Sequence, residues 1–254
     1  MTPETTSSEN AKCWLIVVPV FYSVLPKAFY NFFAMAMRTG RDLYPDGYSF
    51  VLMQAERQIL HMAMNKAADA VLEHGYAGIL AFDDDCLPPA DCITSLIRHH
   101  EAGHEFVAAM GYMRNYPHTT TVGKYYPEGP TLIGSTGEVA PFYWLDALPH
   151  RSRGLIEADF CGVPAMLLSR TAIARMQKPV FGTTDASGGQ MTHDVFMCRR
   201  LQDAGIKVMV DTAIECGHIT EAPVVDSVTR EAARLAVRVN AKAEAAAKIE
   251  QVPA

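Results

Sequence analysis

Short unbroken apolar runs alternate with longer stretches of helical period through the first 110 residues. Trp14 to Val18 is apolar and β-branched with no polar alternation, the pattern of a strand covered on both faces. Pro26 stands where a helix would start, and Phe29, Phe32, Phe33, Ala36 and Met37 follow at helical spacing until Gly40. Tyr48 to Met53 predicts a second strand. Glu56 to His74 then carries Ile59, Leu60, Ala63, Met64, Ala67, Ala70 and Val71 as one stripe, with Gly75 as its C-cap. Gly78 to Phe82 predicts a third strand, Pro89 to Ala102 a third helix ending at Gly103, and Phe106 to Met110 a fourth strand. Strands separated by helices of this length imply an α/β fold: a mostly parallel central sheet with right-handed crossovers, flanked by helices.

The pattern changes at Gly111. From there to Gly154 the chain is rich in Gly, Pro, Thr and aromatic residues and shows little periodicity, which predicts a long binding loop or lid with room for a short hairpin. Ile156 to Phe160 and Val163 to Leu168 resume strand character, and Ser169 caps a short helix. A Gly-rich loop, 181–190, leads to Thr192, which caps a helix with Val195, Phe196 and Leu201 inward and Gly205 at its end. Ile206 to Val210 predicts the last strand. Arg230 to Glu250 is Ala-rich, charged and weakly striped, and predicts a long C-terminal helix suited to contact with a second copy of the chain. The expected organisation is a loose tail over 1–11, one domain over 12–220 with the loop region 111–154 inside it, and a helical extension over 221–254.

Composition narrows the class. Apolar content of 49% against 20% charged residues is that of a globular chain, and a net charge of -6 gives no global attraction for nucleic acid or anionic membrane. Six cysteines (Cys13, Cys86, Cys92, Cys161, Cys198 and Cys216) form no CxxC pair, so they read as small buried hydrophobes in a reducing compartment, with no disulfide framework or zinc site. Residues 13–37 approach the hydrophobicity of a membrane span, but Pro19, Pro26 and Lys27 interrupt them, and Glu4 and Glu9 precede them where a signal peptide is basic. A soluble, cytoplasmic protein with no membrane span is expected.

The candidate chemistry lies directly after the third strand, where Asp83, Asp84 and Asp85 precede Pro88 and Pro89. Three acids at the carboxyl end of a buried strand repel one another unless a cation or ligand sits among them. That end of an open α/β sheet is also where ligands bind. The D-x-D pair Asp83 and Asp85 suits a hard cation such as Mn2+ or Mg2+ with positions left open for phosphate oxygens. Standing alone, the tripeptide reads equally as a solvated acidic turn. Three further features accompany it in order: Asn65 on the preceding helix, Thr192-His193-Asp194 at a helix start, and Cys216-Gly217-His218-Ile219 after the last strand.

That ordered set resembles the GT-A-type glycosyltransferases, in particular the family-two-like nucleotide-diphospho-sugar transferases, over about residues 13–220. The resemblance runs through Asn65, the Asp83-Asp84-Asp85 run with Pro88, the segment Cys161 to Arg170, His193-Asp194, Arg199-Arg200-Leu201, Ala204 to Lys207, Asp211 and His218. It implies a Rossmann-like GT-A fold and transfer of a sugar from a UDP- or GDP-linked donor to an acceptor hydroxyl. By the same resemblance Asp85, Asp83 and His218 would hold Mn2+ or Mg2+. Asp83 and Asp84 would face the donor with Asn65, while Pro19, Phe21 and Tyr22 would border the nucleoside base. Asp194 would act as general base in an inverting displacement. The Tyr-rich loop 111–154 would form the acceptor side, with Arg114 and Lys124 placed to meet phosphate.

The sequence departs from that pattern at three places. Met64 precedes Asn65 where Arg is usual, so one phosphate or nucleotide contact is either lost or supplied by Arg57; His193 replaces the first acid of the usual pair; and no basic Gly-rich signature follows the first strand. The last departure counts against the runner-up, a nucleotidyltransferase or sugar-nucleotide pyrophosphorylase. A haloacid-dehalogenase-like phosphatase would carry its D-x-D on the first strand, whereas here two βα units come first. A non-catalytic nucleotide-sugar-binding module is the remaining alternative, and the acceptor is open.

Overall fold

The computed structural model describes residues 11–20, 26–56, 58–113, 120–125, 131–133, 139–144, 154–184 and 190–219. Phe21, Tyr22, Arg57, Arg114, the tail over 1–10 and the expected extension over 221–254 lie outside them. The elements, in chain order, are β1 (Cys13–Val20), α1 (Pro26–Leu43), β2 (Ser49–Glu56), α2 (Leu60–His74), β3 (Gly78–Phe82), β4 (Cys86–Leu87), α3 (Cys92–Glu101), β5 (Phe106–Met110), β6 (Val122–Tyr125), β7 (Thr131–Ile133), β8 (Val139–Trp144), β9 (Leu155–Ala158), β10 (Phe160–Cys161), β11 (Ala165–Ser169), α4 (Arg170–Arg175), α5 (His193–Asp203), β12 (Val208–Glu215) and β13 (Gly217–His218).

A seven-stranded sheet in the order β2-β1-β3-β11-β5-β12-β9 forms the centre. The strands β2, β1, β3, β5 and β12 share one direction, and β11 and β9 run against them. The fold is thus mixed α/β with a mostly parallel sheet, as the periodicity predicts. The reversed β11, inserted between β3 and β5, is the feature that periodicity does not reveal.

Every residue of β3, β5 and β11 is buried, which explains why these strands read as unbroken apolar runs rather than alternating ones. Alternate side chains enter two cores. Ile79, Ala81, Phe106, Ala108, Met166 and Leu168 face a core shared with Ala63, Ala67 and Val71 of α2, Ile173 of α4 and Leu201 of α5. Leu80, Phe82, Val107, Ala109, Ala165 and Leu167 face the opposite core, with Met35 of α1 and Ile93, Leu96 and Ile97 of α3. Helices therefore cover both faces of the sheet. At Gly78 a Cβ would come within 2.3 Å of the Leu168 carbonyl oxygen, so only glycine lets β3 and β11 close together here.

The structure differs from the expected elements at four places. The second helix starts at Leu60 rather than Glu56, because β2 stays paired with β1 through the Val20–Glu56 register. Helix α1 spans Pro26–Leu43 and buries Ala28, Met35, Thr39 and Leu43, while Phe29, Phe33 and Met37 of the apolar stripe are exposed. The last long strand continues to Glu215 through an irregularity between Asp211 and Glu215. The region after Gly111 contributes three strands, β6, β7 and β8, to a second antiparallel sheet in the order β10-β6-β8-β7. Its fourth strand, β10, arrives from beyond the loop, so the sheet forms by pairing that no local period announces.

Candidate functional site

The chain leaves β3 at Phe82 and turns through the three acids before β4. Asp83 is anchored there by its own backbone: its N–H donates to the Pro164 carbonyl at 3.1 Å, and its carbonyl accepts from the Cys86 N–H at 3.3 Å. The short strand β4 then pairs antiparallel with β13, with His218 directly opposite Cys86. Directly opposed residues of an antiparallel pair project to the same side, so this two-residue ribbon delivers His218 to the acidic turn. The Ile219 N–H closes the connection by donating to the Asp85 carbonyl at 2.8 Å.

Asp85, Cys86 and His218 thereby form one corner of the site. Their ligating atoms all lie within 4.8 Å of one another, with His218 Nε2 3.4 Å from Asp85 Oδ1 and Cys86 Sγ 3.7 Å from that same oxygen. The other ring nitrogen of His218, Nδ1, is 2.9 Å from the Tyr112 carbonyl oxygen. A carbonyl only accepts, so Nδ1 carries a proton, and Nε2 is the nitrogen left on the Asp85 side to serve as a ligand when the ring is neutral. A histidine held this way by a backbone carbonyl is arranged as metal ligands commonly are. The carboxylate, imidazole and thiol therefore fit a divalent cation.

Asp83, His193 and Asp194 form the second corner. Thr192 caps α5, its Oγ1 accepting from the Val195 N–H at 3.4 Å, and this fixes the next two residues at the helix start. His193 Nε2 lies 2.7 Å from Asp194 Oδ1. Burial alone would lower the His193 pKa, but the close approach of the Asp194 carboxylate and the charges of Asp194 and Asp83 outweigh it, and the net shift is upward. Asp83 is pushed up to about 7, first by desolvation and then by the charge of Asp194, against the opposing pull of His193 and His218. Burial and the same carboxylates also raise the Cys86 thiol well above its ordinary value.

Both corners open on one cavity of about 130 Å³, lined by Asp83, Cys86, Asp194 and His218 together with Tyr112, Thr121 and the Gly162-Val163-Pro164 segment. A narrower apolar cleft beside it brings Pro19 at the end of β1 against Asp83, Phe181 and His193. The structure thus gathers Pro19, Asp83, Asp85, Asp194 and His218 around one region, with half-buried Asp84 in the turn between β3 and β4.

Asn65 sits differently. Its Nδ2 donates to the Phe181 carbonyl at 2.7 Å and its Oδ1 accepts from the Phe181 N–H at 3.1 Å. Both ends of the amide therefore hold the loop that leads toward His193, rather than facing the cavity. Asp211 is likewise engaged away from it, 2.7 Å from His99 Nε2 and accepting from the Ala213 N–H at 2.8 Å. Cys86 is the residue that sequence reasoning passes over, since a cysteine in an apolar stretch reads as core. Its position directly after the D-x-D run is the one local signal that sets it apart from the other five.

No family model and no curated protein matches the sequence. Solved structures do resemble the fold. The protein A197 from STIV is 13% identical with a TM-score of 0.53, over 86% of this chain and 91% of that one. Apo UDP-glucose pyrophosphorylase is 9% identical with a TM-score of 0.42, over 79% and 90%. A mutant Drosophila beta-1,4-galactosyltransferase 7 in complex with manganese, UDP-Gal and xylobiose is 16% identical with a TM-score of 0.41, over 82% and 71%. At these identities the likeness is one of fold. Among the described residues, no helix is long and apolar enough to cross a membrane.

Proposed function

We propose that the protein is a metal-dependent glycosyltransferase that moves a sugar from a nucleoside-diphosphate donor to an acceptor hydroxyl. The observation that carries this reading is the convergence of Asp83, Asp194 and His218 on one cavity at the carboxyl end of β3, with Asp85 3.4 Å from His218 beside it. This is the end of the sheet where open α/β folds bind ligands. The ordered sequence resemblance to GT-A-type enzymes supports the same reading.

In this scheme Asp85 and His218 would hold a divalent cation. When bound, the ion neutralises charge on the departing diphosphate. Asp194 accepts the proton from the acceptor hydroxyl as that oxygen attacks the anomeric carbon, and a single displacement of this kind inverts the carbon. His193, drawn toward its protonated form, lies 2.7 Å from that carboxylate and orients it. Asp83, in the second corner, contacts the donor, and Pro19 borders the base. Asn65 acts as a positioning residue through Phe181. Phe21, Tyr22 and Arg57 are assigned to donor contact by resemblance alone, and the region after Gly111 to the acceptor side.

The test is product analysis with nucleotide sugars and Mn2+. Release of the nucleoside diphosphate with sugar on the acceptor supports transfer. Release of inorganic pyrophosphate from a nucleoside triphosphate and a sugar phosphate would instead identify a nucleotidyltransferase, and binding without any release a non-catalytic module.

A further inference from the structure

The donor set at the metal corner is mixed, and its dimensions carry information about the ion. Asp85 supplies oxygen, His218 nitrogen and Cys86 sulfur. Zinc-like ions bind oxygen and nitrogen at about 2.0–2.2 Å and thiolate sulfur at about 2.3 Å in tetrahedral sites. Tetrahedral angles with those bonds give edges of about 3.4 Å between O and N and about 3.6 Å between O and S. The Asp85 Oδ1 to His218 Nε2 distance is 3.4 Å, and the Asp85 Oδ1 to Cys86 Sγ distance is 3.7 Å.

Two backbone features hold these donors in place. The opposed pairing of Cys86 with His218 fixes both side chains on one side of the β4–β13 ribbon. The Tyr112 carbonyl fixes the His218 ring so that Nε2 faces the other two donors. Neither feature depends on an ion being bound.

We infer that Cys86 is the third protein ligand of this corner and that it turns the site toward thiophilic, tetrahedral divalent ions, Zn2+ and Co2+, ahead of Mn2+ and far ahead of Mg2+. A thiolate donor disfavours Mg2+, while the ordinary order of divalent affinities for nitrogen and sulfur donors places Co2+ and Zn2+ above Mn2+. Binding converts the Cys86 thiol to thiolate, its proton passing to solvent as the sulfur–metal bond forms. Cys86 and His218 line the cavity, so a fourth tetrahedral position would be available from that side to water or a phosphate oxygen. The inference rests on the reading of this corner as the metal site, and it adds the ligand and the selectivity.

The experiment is a titration of the full chain with Co2+, followed by absorption spectroscopy and by competition with Zn2+, Mn2+ and Mg2+. The expected result is a near-ultraviolet thiolate-to-cobalt charge-transfer band with the intense visible bands of tetrahedral Co2+, displaced by Zn2+ and unaffected by equimolar Mg2+. Cys86→Ser should abolish the charge-transfer band and narrow the Zn2+ preference over Mn2+ by about tenfold or more. Cobalt binding with no charge-transfer band, a band that survives in Cys86→Ser, or Mg2+ competing as well as Zn2+ would each overturn the inference. The wild-type spectrum stands without any variant if the serine protein does not fold. Mn2+-dependent nucleotide binding without the band leaves the transferase reading intact, whereas the band without nucleotide binding leaves the inference intact and sinks that reading.

Discussion

Asn65 on α2 and Phe181, 116 residues further along the chain, are joined by two hydrogen bonds that use both ends of one side-chain amide. Phe181 is buried, so neither its N–H nor its carbonyl can turn to water if the amide is removed. The pair ties the helix ahead of the acidic strand to the loop ahead of His193 and Asp194. Asn65→Ala is expected to destabilise the protein by roughly 2 kcal/mol, read as a lowered midpoint in urea. Asn65→Asp keeps an acceptor for the Phe181 N–H but sets a carboxylate oxygen against the Phe181 carbonyl, and should be no more stable than Asn65→Ala. An Asn65→Ala protein as stable as the parent would show that the clamp is dispensable.

Asp83 makes stability depend on pH in a direction opposite to that of most paired carboxylates. Its folded pKa of about 7 stands above the unfolded value, so the folded state binds its proton more tightly. The group adds no penalty below about pH 4, and the fold loses stability as pH rises from there through about 7. His193, also shifted upward, acts in the same direction. Asp83→Asn should recover on the order of 2 kcal/mol at pH 8, allowing for solvent at the half-buried carboxyl, and little at pH 4. Melting curves of both proteins at the two pH values measure it, and an equal effect at both would refute the assignment.

Asp194→Asn preserves the shape of the α5 start but removes the carboxylate proposed as proton acceptor. Transfer should fall by about 10²–10⁴-fold while donor affinity changes little. Survival of transfer in the variant would remove Asp194 from the role of base.

Gly78→Ala places a methyl group against the Leu168 carbonyl and the Trp14 ring. Separation of β3 from β11 should cost roughly 1–3 kcal/mol and displace the acidic turn that follows. Thermal unfolding checks the first effect and Co2+ titration the second.

These positions also show what a single sequence carries and what it hides. The strands β1, β3, β5 and β11 are legible because burial on both faces removes polar residues from them, and Gly75 is legible as a cap because its φ of 70° excludes most other residues. The reversal of β11 is invisible to periodicity, since a buried strand has the same composition in either direction. The second sheet is hidden for a related reason: β6 finds a partner in β10, nearly forty residues away. Asp83, Asp85, Asp194 and His218 can be picked out by residue type and order. Cys86 acquires meaning only from its pairing with His218 in a ribbon two residues long, too short to leave a pattern. Asn65 is conspicuous in the sequence, yet its bonds to Phe181 depend on tertiary contact alone.

The most direct measurement is the thermal stability of the full chain with UDP or GDP, each with Mn2+ and with EDTA, in the parent protein and in Asp85→Ala. The account predicts that one diphosphate raises the melting temperature with the metal, that EDTA abolishes the rise, and that Asp85→Ala lacks it. A diphosphate that stabilises the protein equally in EDTA, or no stabilisation by either nucleotide with the metal present, would contradict the central claim.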